Sequence, residues 1–110
     1  MRNLLFALAA LALSFAAQAG GNASAGHELV KSKACMTCHG EMGDKPSAPD
    51  QPILAGQYND YLVRALSDYK SGRRTNPIMK GMAGQLSKQE IEDVAAWFSS
   101  QQKTTLHNQR

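Results

Sequence analysis

Cys35-Met36-Thr37-Cys38-His39 holds both cysteines of the chain, three positions apart, with a histidine directly after the second. A disulfide between them would close a very short loop and remove little entropy from the unfolded chain, so it would be a poor staple. A thioredoxin-like redox pair belongs at a helix start beside a βαβ pattern, and no strand-like alternation lies near these thiols. A structural zinc ion takes about four ligands. His27 and His107 lie far off in sequence and bring no further cysteine. The chemistry that remains is covalent attachment of one haem c. Thiols at this spacing add across the two vinyl groups on one edge of a porphyrin, and His39 is carried under the iron as an imidazole ligand. The thiols are then consumed as thioethers, which suits an oxidising compartment.

The N-terminal stretch points to that compartment. Arg2 is followed by an apolar run from Leu4 to Ala17, and Ala17-Gln18-Ala19 supplies the small-x-small pattern that a signal peptidase cuts. We expect a signal peptide over 1–19, cleavage after Ala19, and a periplasmic location. The run is shorter than the roughly 20 residues that span a bilayer, so no stable membrane insertion is expected after cleavage. The 91 residues from 20 to 110 suffice for one small domain and are too few for two. Its core is expected at about 22–101, with a polar tail over 102–110. A net charge of +3, or +2 without Arg2, produces no field of the kind nucleic-acid binders use, which excludes nucleic acid as a partner. Aromatic residues make up only 6% of the chain, and a core this light calls for a staple such as a bound cofactor.

Periodicity predicts three helices and no strand, hence an all-α fold. The first covers about Ser24 to Lys33, with Asn22 or Ser24 as N-cap, Leu29 and Val30 as an apolar patch, and Gly26 as a point of close approach for another helix. The second runs from about Tyr58 to Ser71. Tyr58, Tyr61, Leu62, Ala65, Leu66 and Tyr69 form one stripe along it, and Gly72 stops it. The third starts at the capping box Ser87-Lys88-Gln89-Glu90, with Leu86 stapled to Ile91, and continues through Val94, Ala95 and Phe98 to about Ser100. Trp97 is placed to meet the first helix near Gly26 and Val30.

Two stretches between these helices read as irregular walls of a haem site. Residues 41–57 contain Pro46, Pro49, Pro52 and Gly56, which exclude regular helix. A metal-bound imidazole usually donates its other ring N–H to a carbonyl, and the carbonyl of Pro52 is our candidate, with Leu54 pressed on the porphyrin face. Residues 73–85 hold Pro77, Met79, Gly81, Met82 and Gly84, a Gly-rich segment of poor periodicity. A thioether there is a soft ligand suited to iron opposite a histidine, and it raises the reduction potential. We assign Met79 in preference to Met82. Tyr58, Arg74 and Trp97 are candidate donors to the haem propionates.

These blocks resemble the class I c-type cytochromes, and within them the bacterial cytochrome c4 and c-553 group. The resemblance rests on Cys35-x-x-Cys38-His39-Gly40, Leu54-Ala55-Gly56-Gln57, Tyr61-Leu62 and Tyr69-Lys70-x-Gly72-x-Arg74. It continues through Met79, Leu86-Ser87 and Ile91-x-x-Val94-Ala95-Ala96-Trp97-Phe98. The group's methionine ligand lies seven residues before the Leu of Leu-Ser, which is Met79 here. The resemblance implies about four helices wrapped around one haem, crossing terminal helices, His39/Met79 ligation and single-electron transfer. Cytochrome c4 proteins carry two such domains, and this chain has one haem motif, so it resembles a single-haem relative.

With both axial positions filled, no open iron site remains for a substrate, and the expectation is an electron-transfer protein without catalytic residues. Its partners would be redox proteins that dock transiently, a respiratory or dehydrogenase donor on one side and a terminal oxidase or reductase on the other. Arg64, Lys70, Arg73, Arg74 and Lys80 are positioned to steer acidic partners. Three readings compete with this one. They are a haem subunit held permanently by a catalytic dehydrogenase, a ligand-binding haem protein if Met79 does not coordinate, and a haem-free dithiol oxidoreductase.

Overall fold

The computed structural model describes residues 20–102, which form five α-helices and no strand. The signal peptide expected over 1–19 and the tail beyond residue 102 lie outside the described residues. Helix α1 spans Ala23–Ser32, α2 Cys35–His39, α3 Asn59–Ser71, α4 Pro77–Gly84 and α5 Lys88–Ser99. None of the described helices is long and apolar enough to cross a membrane.

Three of these helices begin and end where local chemistry says they should. Asn22 caps α1, its side-chain oxygen accepting the Ala25 N–H at 2.9 Å. Gly72 ends α3 in the left-handed region, at φ 86°. At α5 the capping box is complete: Ser87 Oγ accepts the Glu90 N–H at 3.1 Å and the Glu90 carboxylate accepts the Ser87 N–H at 2.9 Å.

Residues 73–85 depart from the expected irregular wall, because Pro77–Gly84 is helical. The reason is local. Asn76 accepts the N–H groups of Ile78 and Met79, at 3.0 and 3.1 Å, and Pro77 at the first helical position arrives with φ already set. Each interior glycine costs a helix about 1 kcal/mol, but eight residues need few favourable contacts, and Ala83 is fully buried.

Helices α1 and α5 cross at the centre. A Cβ on Gly26 would overlap the Asp93 carbonyl, and one on Gly21 the Glu92 carbonyl, so the two backbones meet with no side chain between them. Around this crossing Val30, Leu62, Leu86, Ile91, Val94, Ala95 and Phe98 form one buried cluster. Burying a Val, Leu, Ile or Phe side chain contributes roughly 1.5–3 kcal/mol. The buried Asp93 carboxylate accepts the Asn22 N–H at 2.8 Å and the Gln89 amide at 3.0 Å, which ties the start of α1 to α5. Helix α3 packs on α5, α4 on α3, and α2 on α1.

The stripe expected on α3 is narrower than its periodicity suggests. Leu62 is buried, and Val63 and Leu66 pack on the cluster. Tyr58 and Tyr61 are 69% and 48% exposed. Tyr58 is the N-cap, outside the helical turn, and Tyr61 lies about 100° around the axis from Leu62.

The α5 cap carries a first prediction. The Glu90 carboxyl is held below its ordinary range, chiefly by the Ser87 N–H, with desolvation opposing. A carboxyl lowered on folding stabilises fully above its unfolded value and ceases to do so as the pH falls through its folded value. Ser87→Ala should cost about 1 kcal/mol in urea unfolding at neutral pH. Glu90→Gln should shrink the loss of stability on the acid side.

Candidate functional site

The chain leaves α1 with the Lys33 N–H on the Leu29 carbonyl at 2.8 Å, then reverses at Ala34, whose φ of 61° is the one positive value at a non-glycine residue among those described. Helix α2 follows at once. Cys35 and Cys38 are three positions apart, so they share a face of it; both are half-buried and unbridged. Gly40, at φ 85° and ψ 157°, stops the helix in a conformation open to glycine alone at little cost.

The proline-rich segment then folds back over the carbonyl end of α2. Ser47 N–H donates to the Cys38 carbonyl at 2.9 Å and Lys45 N–H to the His39 carbonyl at 3.3 Å, which satisfies groups that a helix end leaves unpaired. The side-chain oxygen of Gln51 accepts three donors, from Ser47 N–H, Ser47 Oγ and Ala48 N–H, at 3.0, 2.8 and 3.0 Å. Further on, the Gly43 carbonyl takes the N–H groups of Leu54 and Ala55, and Gly56 N–H donates to the Phe98 carbonyl at 2.9 Å. Residues 41–57 are therefore a wall fixed at both ends, free of helix as the prolines require.

His39 is buried, 5% exposed. A carbonyl can only accept, so the 2.9 Å contact to the Pro52 oxygen places the ring proton on Nδ1. Nε2 then has no hydrogen-bond partner among the described residues. A buried ring nitrogen left over in this way, its partner nitrogen tied to a carbonyl, is what a metal-binding imidazole presents. Two unbridged thiols stand beside it on the same short helix, so the donor set fits haem c. The Cys35 thiol is pushed up by burial, with a backbone hydrogen bond opposing and the neighbouring Cys38 adding to the rise. A redox dithiol needs the opposite, a lowered thiol that yields thiolate at neutral pH.

Leu54 is half-buried and packs on the same core cluster as Cys35. The structure thus brings Cys35, Cys38, His39, Pro52 and Leu54 into one region. Met79 sits half-buried in the first turn of α4, on the helix that packs against α3, and Met82 lies one turn on. Of the candidate propionate donors, Trp97 has its indole N–H on the Glu41 carbonyl at 2.8 Å, and Arg74 lies over the Tyr69 ring at 4.7 Å. Trp97 is therefore already engaged, a correction to its expected availability. Sequence reasoning passed over Asn76, whose signal was present as Asn before Pro, and over Gln51 and Glu41, whose partners no local pattern marks.

Comparison with known proteins adds the family. Residues 23–102 match the cytochrome c family. The chain is 43% identical over 102 residues to a cytochrome c4 of Pseudomonas aeruginosa, across 92% of this chain and 49% of that protein. It is 39% identical over 85 residues to cytochrome c-554(548) of Halomonas halodenitrificans, across 74% of this chain and 99% of that one. Among solved structures, reduced recombinant cytochrome c4 from Pseudomonas stutzeri superposes with a TM-score of 0.68 at 42% identity, over 74% of this chain and 46% of the other. The chain spans about half the length of the cytochrome c4 relatives it matches.

Proposed function

The chain belongs to the cytochrome c family, and we propose that it is a periplasmic single-electron shuttle whose haem c is joined to Cys35 and Cys38 and ligated by His39 and Met79. Membership makes it an electron-transfer protein with covalent haem c, not an enzyme. The bound group supplies an iron that exchanges one electron with other redox proteins. What this chain contributes is ligation and burial. The observation that carries the reading is the buried His39 ring, fixed by Pro52 through Nδ1 with Nε2 left for a metal. A carbonyl on Nδ1 fixes the tautomer and orientation of the ring and raises its basicity toward the metal.

A methionine ligand paired with that histidine would raise the reduction potential of the bound iron and leave it closed to small ligands. Asn76 anchors Met79 by its backbone N–H, so the residue sits at a capped helix start. Leu54 supplies apolar surface packed on the same cluster as Cys35, which would help keep water from a bound iron. A leader read from Arg2 and the apolar run after it, and thiols that would be consumed as thioethers, are what support the periplasmic reading.

Partners would meet the surface around α3 and α4. Arg64, Arg73 and Lys80 are exposed and make no ion pair among the described residues, and Ile78 on α4 is 71% exposed. Lys70 and Arg74 are drawn into structural contacts, with the Leu86 carbonyl and the Tyr69 ring. Exposed cations on and between α3 and α4 suit brief, salt-sensitive docking of acidic redox proteins.

The test is the visible spectrum of the matured protein in both oxidation states, with carbon monoxide added to the reduced form. The weak far-red band of methionine-ligated ferric iron and indifference to carbon monoxide are expected. Met79→Ala should abolish the band and admit carbon monoxide, whereas Met82→Ala should do neither. A wild-type spectrum that shifts with carbon monoxide would remove Met79 as ligand and favour ligand binding.

A further inference from the structure

Helix α3 turns Ser67, Lys70 and Ser71 to one side, because positions i, i+3 and i+4 share a helix face. Lys88, at the first position of α5, and Ile91, one turn on, border the same space. These five residues line a solvent-open cleft of about 340 Å³, with the buried Ile91 as its apolar floor. Lys70 is pinned there. Its ammonium donates to the Leu86 carbonyl, which spends one of three N–H donors and fixes the charge between α3 and α5. Lys88 is exposed and makes no hydrogen bond or ion pair among the described residues. The ion pairs found among those residues, His27–Glu41 and Lys31–Glu28, lie on α1 and the loop after His39, and neither reaches the cleft. The acids of α3 and α5 do not line it. Glu90 accepts the Ser87 N–H at 2.9 Å, and Asp93 is held by Asn22 and Gln89.

Both serine hydroxyls already donate to the backbone of their own helix, Ser67 Oγ to the Val63 carbonyl at 2.7 Å and Ser71 Oγ to the Asp68 carbonyl at 3.2 Å. Each oxygen keeps its lone pairs for a donor from outside. The cleft therefore combines two ammoniums that need acceptors with two hydroxyl oxygens that accept. We propose that it binds inorganic phosphate as hydrogenphosphate: the ionised oxygens face Lys70 and Lys88, and the ion's own O–H donates to Ser67 or Ser71. Charge alone would take any small dianion. The serines add a requirement that sulfate does not meet, because it has no proton to give. A pinned lysine also loses less side-chain freedom on binding than a loose one. The volume, at the small end of the roughly 300–1,000 Å³ of ligand sites, leaves room for the ion and bridging waters. Bound phosphate cancels positive charge beside the α3 surface proposed above for docking. It would thus weaken acidic partners more than sodium chloride of equal ionic strength does. That consequence rests on the docking reading; the binding itself does not, and it involves no ligand of the iron.

The test follows backbone amide shifts by NMR in the reduced, matured haem protein as sodium phosphate replaces sodium chloride at constant ionic strength. At about pH 8, hydrogenphosphate, sulfate and glycerol phosphate are all chiefly dianions, and the first alone carries an ionisable O–H. Phosphate should give saturable shifts centred on Ser67, Lys70, Ser71, Lys88 and Ile91, and should bind about threefold or more tightly than the other two. Lys88→Gln should weaken phosphate binding roughly fivefold, the upper range for one exposed ion pair. Lys88 makes no contact that the fold depends on, so this variant reads the site and not the stability. A Ser67→Ala, Ser71→Ala double variant should bind phosphate no better than sulfate. Shifts that fail to saturate, equal binding of the three anions, or an unchanged phosphate affinity in Lys88→Gln overturns the proposal. The comparison of anions needs only wild-type protein, so it decides the matter even where a variant does not mature.

Discussion

A Cys35→Ser, Cys38→Ser double variant is expected to contain no covalently bound haem and to accumulate no native protein. Helix α2 has five residues, against the roughly 12–15 at which a helix becomes marginally stable alone. It begins at a left-handed alanine without a side-chain cap, and His39 is its one buried residue. Two thioethers would pin this element where its own sequence cannot. Each single Cys→Ser substitution leaves one pin and should retain stainable pigment at reduced yield. The check is a haem stain after acid extraction and a denaturing gel. Pigment surviving extraction in the double variant would place the attachment elsewhere.

Gly26→Leu should be nearly as damaging, for a different reason. A first side-chain carbon at residue 26 already overlaps the Asp93 carbonyl, and that carbonyl belongs to helical backbone with nowhere to go. The helices would have to separate, opening gaps around Val30 and Val94, which are 0% and 2% exposed. We expect a loss of about 3 kcal/mol or more, out of a total stability of roughly 5–15 kcal/mol for a domain of this kind. Guanidinium unfolding followed by circular dichroism measures it. A change under about 1 kcal/mol would mean that the crossing is looser than Gly26 and Gly21 imply.

What could be read ahead of the structure follows a physical division. The start of α5 was legible because its signals lie within a few residues: Ser87 and Glu90 bond each other, and Leu86 and Ile91 flank them. The motif and the prolines of 41–57 were legible for the same reason, although the five-residue helix that carries the motif is too short for periodicity to mark. Gly26 announced a close helix crossing, since so small a residue beside Val30 is wasted unless backbone approaches it. Helix α4 was hidden by Gly81 and Gly84, which blur its period, although Asn76-Pro77 marks its start. The exposure of Tyr58 and Tyr61 was missed because a stripe drawn on a helical wheel ignores where the helix begins. The cluster of His27, Glu41 and Trp97 lay beyond reach: its contacts join residues 14 and 56 positions apart, and nothing near any of the three announces the others.

The Asn22–Asp93 hydrogen bond bridges 71 positions, nearly the whole described length. It marks a fold in which the first of the described helices to be synthesised waits for the last of them. Until Asp93, Val94 and Phe98 have been made, Val30 has no surface to bury against and Gly26 has no backbone to meet. A nascent chain is therefore unable to close early, because local contacts alone do not settle α1. For as long as synthesis leaves α5 unfinished, Cys35 and Cys38 belong to a chain whose central crossing has not closed. Closure by α5 then becomes the event that ends that interval.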